Sequence, residues 1–474
     1  MSQLGQVDSG FMTVEDVDRH VNLGIGAVAV MAGPAPTRAD FVAEMSRRLS
    51  VNARFRQKVR TTVFDLAAPR WVDDPEFDLA HHIRWDALPD PCDEPTLCEL
   101  IATIMEERLD RDHPLWQCTV IERLTDDRWA VLVKAHHSMV DGISGIALFE
   151  ALCDQPTASA SAGHTARAPK DDRAPKGWLD SAARGLRLPL DAPRFVFDTV
   201  RGLAPVALGA VLPGVESSLN GPIGRQRRYA IARTSLSAVR DVGAAFGVTV
   251  NDVALTLVTS AFRSVLQRRG EEPTADKLRI LMPVSIRSEA AKGVLDNRVS
   301  VMLPYLPVDL DDLVDQLDAV HHRVSEHKKT GEVHATQVVL SIAKSLPFAP
   351  LSWTIRLASR YPQRAIGAVA TNVPGPTRQL YLQGKEVQEI LAYVPIAMRI
   401  RTGIAILSYG DQLMFGITGD YDSTADIDMI ADGIEHAMAE LLARTKISRS
   451  RRVEAAPYTD SGHGSRKPKS PTER

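Results

Sequence analysis

Apolar positions along the chain fall into two spacings. Residues 21–33, VNLGIGAVAVMAG, and 129–134, WAVLVK, are short unbroken apolar runs, the pattern of buried strands. Directly after the second run, Ile143, Ile146, Ala147 and Phe149 to Leu152 recur near helical spacing, so 129–152 predicts strand, tight turn, helix. Further on, VTVNDVALTLVTSAFRSVL (248–266) predicts an apolar helix that starts at Asn251 or Asp252, since either caps a helix N-terminus well. LRILMPVSIR (278–287) and NRVSVMLPYLP (297–307) predict strands, and DDLVDQLDAVHHRVSEHKK (311–329) predicts an amphipathic helix with His321 and His322 in solvent. Pro374, Gly375 and Pro376 of ATNVPGP set a rigid turn. Two blocks, about 1–154 and 217–445, mix strands and helices, a mixed α/β (α+β) pattern. Between them, 155–216 is a predicted connector, its first part rich in Ala, Ser, Pro and charge, and 446–474 is a predicted disordered basic tail.

The turn at the end of WAVLVK carries the polar cluster KAHHSMVDG: His136, His137, Asp141 and Gly142. A loop held between a strand and a helix is rigid enough for chemistry. Gly142 opens backbone conformations closed to other residues, and Asp141 lies where a helix N-terminus favours a carboxylate. His81 and His82 repeat the spacing, with Asp86 four places on, but Ala87 replaces the glycine and no apolar strand leads in, so that copy reads as a surface or packing segment. Three chemistries use His, His and Asp. A metal site needs three or four ligands, and no HExxH or Cys/His cluster supplies them. A hydrolase triad needs a nucleophile, and no GxSxG elbow occurs. The third is general-base catalysis by a neutral imidazole. A loop histidine beside a capping aspartate is the non-catalytic alternative, and the motif alone leaves both open.

Composition bounds the rest. The 474 residues are 44% hydrophobic and 24% charged, typical of globular chains with length for two or three domains. A net charge of −3 gives no argument for nucleic acid. The four cysteines form no CxxC pair, and Asp16 and Asp18 stand where a signal peptide needs positive charge, so a reducing cytoplasm is expected. No apolar run reaches the length of a membrane span; 202–215, GLAPVALGAVLPGV, is broken by Pro205 and Pro213 and reads either as a packed connector or as a segment touching a lipid surface.

HHSMVDG resembles the HHxxxDG motif of acyltransferases with the chloramphenicol acetyltransferase-like fold. Its companions, PLW at 114–116, NDV at 251–253, PVSIR at 283–287, DNRVSVMLP at 296–304 and NVPGP at 372–376, resemble in this order the bacterial wax ester synthase/acyl-CoA:diacylglycerol acyltransferase family, over about 9–445. DVDRHVNLGIGAVAVMAGPAP and SSLNGPIG (217–224) are most similar to its triacylglycerol synthases. That family more often carries Met-His where this chain has Val21 and Asn22, so no role of that histidine carries over.

The resemblance implies two similar domains with mixed sheets flanked by helices and a channel between them. It implies transfer of a long-chain acyl group from acyl-CoA to the hydroxyl of diacylglycerol or a long-chain alcohol, without a cofactor or metal and without an acyl-enzyme. His137 is then the general base and His136 supports the turn. Asp141 forms a structural ion pair, with Arg287 as the expected partner, and Gly142 permits close substrate approach. Asn251 either donates to the oxyanion or caps its helix, beside Asp252. Trp116, Asn372, Pro374 and Gly375 are expected at the channel wall. A cytoplasmic enzyme, with a peripheral station on the membrane or on lipid droplets, is the expectation; the alternatives are a carrier-protein-dependent acyltransferase and a non-catalytic lipid-surface protein.

Overall fold

The computed structural model describes residues 3–50, 52–62, 67–140, 142–154, 216–285, 299–329, 348, 352–353, 356 and 363–455. The first block gives α1 (Gln6–Val17), β1 (Gly24–Ala32), α2 (Arg38–Leu49), β2 (Gln57–Arg60), β3 (Arg70–Asp73), α3 (Leu79–His82), β4 (Ile83–Ala87), α4 (Glu94–Glu106), β5 (Trp116–Leu124), β6 (Arg128–His136) and α5 (Gly142–Leu152). The second gives β7 (Arg227–Ser235), α6 (Leu236–Phe246), α7 (Val250–Arg268), β8 (Ile280–Ser285), β9 (Val299–Met302), α8 (Leu313–Lys329), β10 (Ala368–Val373), β11 (Tyr381–Leu382), β12 (Lys385–Tyr393), β13 (Thr402–Tyr409), β14 (Gln412–Asp420) and α9 (Ile427–Ala455).

These build two six-stranded sheets, ordered β11-β12-β1-β6-β5-β4 and β7-β14-β13-β10-β8-β9. Each is mixed: β4 runs parallel to β5 in the first, and β10 parallel to β13 and β8 in the second, while the other pairs are antiparallel. The apolar runs are therefore strands, and helix α7 fills the second core with Val253, Leu257, Ala261, Phe262 and Val265 fully buried. Burial of one such side chain is worth roughly 1.5–3 kcal/mol.

Strand membership does not follow the two blocks of sequence. β11 and β12, from within 217–445, join the first sheet, where β12 pairs with β1. The crossover is supported by packing: Leu391 and Tyr393 of β12 share a cluster with Val28 and Leu132 of the first sheet and with Tyr229 and Met414 of the second. Arg233 of β7 adds a polar tie, donating to Glu389 of β12 at 3.0 Å and reaching Glu94 of α4. Both carboxylates raise its guanidinium pKa against the opposing effect of burial.

Two expectations are corrected here. Residues 446–455, assigned to a disordered tail, continue α9, because no Gly or Pro interrupts 441–455 and the first breaker is Pro457. His321, expected in solvent, has Nδ1 2.8 Å from the buried Asp252 carboxylate, whereas His322 is exposed. Its helix α8 packs on α7, so one face of the histidine pair meets that helix's first turn. Residues 155–215 of the predicted connector 155–216 and the segments 286–298 and 456–474 lie outside the described residues.

Candidate active site

The predicted strand, turn and helix are β6, residues 137–139 and α5. Three backbone hydrogen bonds staple the turn to its neighbours. His136 N–H donates to the Leu115 carbonyl (2.9 Å), His137 N–H to the Leu23 carbonyl at the start of β1 (2.9 Å), and Met139 N–H to the His136 carbonyl (2.8 Å). Below it, Lys134 of β6 is buried with Nζ donating to the carbonyls of Ile104 (2.7 Å) and Glu107 at the end of α4, and burial pushes its ammonium down to about 8. Asn22 caps the same helix end, donating to Met105 and accepting from Gly24 N–H.

The two histidines have different surroundings. His136 is buried, and Ser138 N–H donates to its Nδ1 at 3.1 Å, which leaves the ring proton on Nε2 facing the Glu15 carboxylate at 3.5 Å. His137 is half-buried, with its ring stacked on Phe11 at 4.1 Å between centroids. Phe11 and Glu15 lie four residues apart on one face of α1, so this helix holds both rings at once. Arg108 fixes its C-terminal end by donating to the carbonyls of Glu15, Asp18 and Val21.

Sequence reasoning missed α1. The available signal was an acidic residue at a position that helical spacing puts beside the buried Met12 and Thr13. Burial acts to raise the Glu15 pKa, but the His136 ring, the Arg111 guanidinium at 2.7 Å and the Leu23 N–H at 3.1 Å outweigh it and hold the carboxyl at about 2. A folded value below 4.5 stabilises the protein above pH 4.5 and is lost as pH falls from 4.5 towards 2. Glu15→Gln is therefore expected to lower stability at pH 7 by up to roughly 3 kcal/mol, with the gap to wild type closing below about pH 3. Urea midpoints measured across that range check it; a gap independent of pH would show that Glu15 acts by shape and not by charge.

The other predicted residues separate into two groups. Asn251 and Asn372 come together, while Asp252 faces Thr249 and His321. The N-cap of α7 is Thr249, which forms a capping box with Asp252, so neither Asn251 nor Asp252 starts the helix. Freed from capping, Asn251 accepts at 3.1 Å from Asn372 Nδ2 at the end of β10. Gly375 follows in close contact with β13: a Cβ there would stand 1.9 Å from the Ser408 carbonyl oxygen, so only glycine fits. Pro374 is exposed.

Trp116 is not a channel residue. It is buried between Phe55 and His82, donates from its indole N–H to the Phe55 carbonyl at 2.9 Å, and stacks on His82 at 4.5 Å. His82 in turn has Nδ1 2.8 Å from the Trp116 carbonyl, so this histidine is a packing element, while His81 beside it is exposed. Gly142 is the first residue of α5. Asp141 and Arg287 lie outside the described residues, and with them the expected ion pair. Two surface cavities formed by described residues lie away from the histidines, one around Arg48 and Asp154 and one between α4 and β7. Among the described residues no group of three His, Cys, Asp or Glu side chains is placed to hold a metal ion.

Two six-stranded mixed sheets, the first of which takes β11 and β12 from the second block of the chain, form a fold with known counterparts. The first condensation domain of the calcium-dependent antibiotic synthetase, solved with a substrate analogue, superposes over 93% of this chain and 96% of its own with a TM-score of 0.59 at 13% identity. A wax ester synthase/diacylglycerol acyltransferase from Marinobacter aquaeolei VT8 superposes over 94% and 100% with a TM-score of 0.66 at 24% identity. The fold is thus the one shared by condensation domains and acyltransferases of this type.

Sequence carries the assignment further. Residues 4–254 match the wax ester synthase/diacylglycerol acyltransferase catalytic domain and 295–442 match the C-terminal domain of the same family. Over 457 residues, 95% of this chain and 98% of the other, the chain is 44% identical to the probable diacylglycerol O-acyltransferase tgs1 of Mycobacterium tuberculosis. The chain belongs to the wax ester synthase/diacylglycerol acyltransferase family.

Proposed function

We propose that this protein transfers a long-chain acyl group from acyl-CoA to the hydroxyl of diacylglycerol, forming triacylglycerol, with long-chain alcohols as further acceptors. Support for the substrates comes from family membership and from the relative named as a diacylglycerol O-acyltransferase. Support for the chemistry comes from one observation: of the adjacent histidines on the stapled turn, His136 is buried and engaged by Ser138 and Glu15, while His137 is half-buried.

In this reading His137 takes the proton of the acceptor hydroxyl as its oxygen attacks the thioester carbonyl carbon. A C–O bond forms, the carbonyl becomes a tetrahedral oxyanion, and collapse breaks the C–S bond. The departing CoA sulfur takes the proton back from the imidazolium, so the ester and free CoA leave and the ring is neutral again. No acyl-enzyme and no cofactor enters. The paired amides of Asn251 and Asn372 supply the polar contact for the oxyanion or for the attacking oxygen, a type of donor whose loss costs ~3 kcal/mol. In this reading substrates reach the turn along a channel between the two sheets.

Among the described residues no single helix is long and apolar enough to cross a membrane. Because the donor is water-soluble and the acceptor resides in a lipid phase, the reading includes a peripheral station on a cytoplasmic membrane face or lipid droplet. Purified full-length protein incubated with labelled palmitoyl-CoA and a panel of diacylglycerol, hexadecanol and short alcohols is expected to yield triacylglycerol as the main labelled neutral lipid. A labelled product found only with short alcohols would displace the diacylglycerol assignment.

A further inference from the structure

The loop from β12 to β13, residues 394–401, carries the chain from the first sheet back to the second. Within it Met398 and Arg399 have φ of 50° and 66°, two consecutive left-handed residues. Asp126 and Asp127 do the same in the β5–β6 hairpin, where aspartate tolerates that conformation. Met and Arg have no such excuse, and such backbone persists only where its surroundings fix it. Here they do. The Met398 carbonyl accepts from the buried Gln363 side chain at 2.7 Å, and the Arg399 carbonyl accepts from Gly221 N–H at 2.9 Å.

The side chain that this backbone presents is itself unsatisfied. Arg399 is partly buried, and its Nε is buried without a hydrogen-bond partner among the described residues. Its neighbours differ in this respect. Arg269 pairs with Asp426, and Arg401 donates to the Ser218 carbonyl at 2.9 Å. The charges act on one another: burial lowers the Arg401 pKa, Asp420 opposes this, and Arg269 and Arg399 add to it. A guanidinium held in a costly backbone, close enough to Arg401 to act on its charge and with no carboxylate partner among the described residues, is built to receive an anion.

Its location supplies the ligand. Ile396 of the same loop forms a small apolar cluster with Val21, Leu23 and Ile223, onto which Ala397 and Phe11 pack. Phe11 stacks on His137, and the Leu23 carbonyl holds the His137 N–H, so the loop and the histidine turn share one support. We propose that Arg399 is an anion-binding residue that takes a phosphate of the acyl-CoA donor. This rests on the acyl-CoA reading above. Exposed Met398 beside it offers an apolar surface to the pantetheine arm.

The test compares two donors with full-length protein and diacylglycerol: palmitoyl-CoA, and the palmitoyl thioester of N-acetylcysteamine, which has no phosphate. Arg399→Ala is expected to raise KM for palmitoyl-CoA roughly tenfold or more, as for a lost charge-assisted hydrogen bond, and to affect the short thioester at least tenfold less. Arg399→Lys recovers part of the loss. Arg399→Gly, which relieves the backbone, loses CoA affinity without losing thermal stability. Equal losses on both donors, or none on either, would overturn the proposal. Sedimentation with phosphatidylcholine vesicles, with and without phosphatidate, identifies a lipid headgroup as the anion: weaker phosphatidate binding in Arg399→Ala with an unchanged palmitoyl-CoA KM also overturns it. If wild type acylates no acceptor, the proposed function fails by itself. Calorimetric titration with free CoA then decides this inference separately, weaker binding by Arg399→Ala supporting it and equal binding refuting it.

Discussion

His137→Ala lowers the acyl-transfer rate of this protein at least ~10²-fold, the loss expected when general-base catalysis is removed. The fold is expected to survive. His137 is half-buried, and the bonds that staple its turn use backbone atoms at Leu23, Leu115 and Met139, which alanine retains. The loss therefore falls on kcat with a near-native unfolding midpoint. His136→Ala is expected to differ in kind. It removes a buried ring placed between Ser138 and Glu15, so it lowers stability first and activity through it. Rate assays paired with urea unfolding separate the two. A His137→Ala protein that turns over at the wild-type rate would refute the proposed base, and the acyl-transfer mechanism would have to begin elsewhere.

Gly416→Ala breaks the seam between the sheets. A Cβ at this position in β14 would stand 1.8 Å from the Ala392 carbonyl oxygen of β12 and 2.5 Å from the Tyr229 hydroxyl, which donates to that same carbonyl at 2.8 Å. Neither side yields easily. β14 is paired with both β13 and β7, and β12 with both β11 and β1, so relief requires moving two sheets apart. Overpacking of ~1–3 kcal/mol and a buried hydroxyl left without its acceptor at ~1–3 kcal/mol together predict a loss of about 4 kcal/mol. That is a large share of an ordinary domain's stability. Chemical denaturation or soluble yield measures it. Tyr229→Phe alone should cost far less, and the double variant should fall short of the sum because both changes act on one carbonyl. A wild-type midpoint for Gly416→Ala would mean that the seam is looser than these distances imply.

Much of the candidate site was legible in the chain, for a local reason. The strand, turn and helix around His136 and His137 are specified by residues within twenty positions of one another, and apolar runs with a glycine and a helix-spaced sequel have few other solutions. The companion motifs fixed the family by their order, and α7, β8 and β9 formed where their spacing predicted. Errors arose where a local signal had a non-local competitor. Asn251 and Asp252 looked like caps, yet Thr249 took the cap, Asp252 turned to His321 and Asn251 to Asn372, partners 69 and 121 positions away. Trp116 looked like a channel residue until Phe55 and His82 enclosed it.

By itself, then, the sequence determined the histidine turn, its flanking elements, and the mixing of strands and helices in both blocks. Spacing along a chain encodes those directly. Only the tertiary structure decided that β12 leaves its own block to pair with β1, that α1 brings Phe11 and Glu15 onto the two histidines, and that His136 is engaged while its neighbour stays half-buried. Each of those outcomes depends on which distant surface offers the best burial and the best partner for a charge. That choice is settled by the packing of the whole molecule and leaves no periodic trace in any one segment.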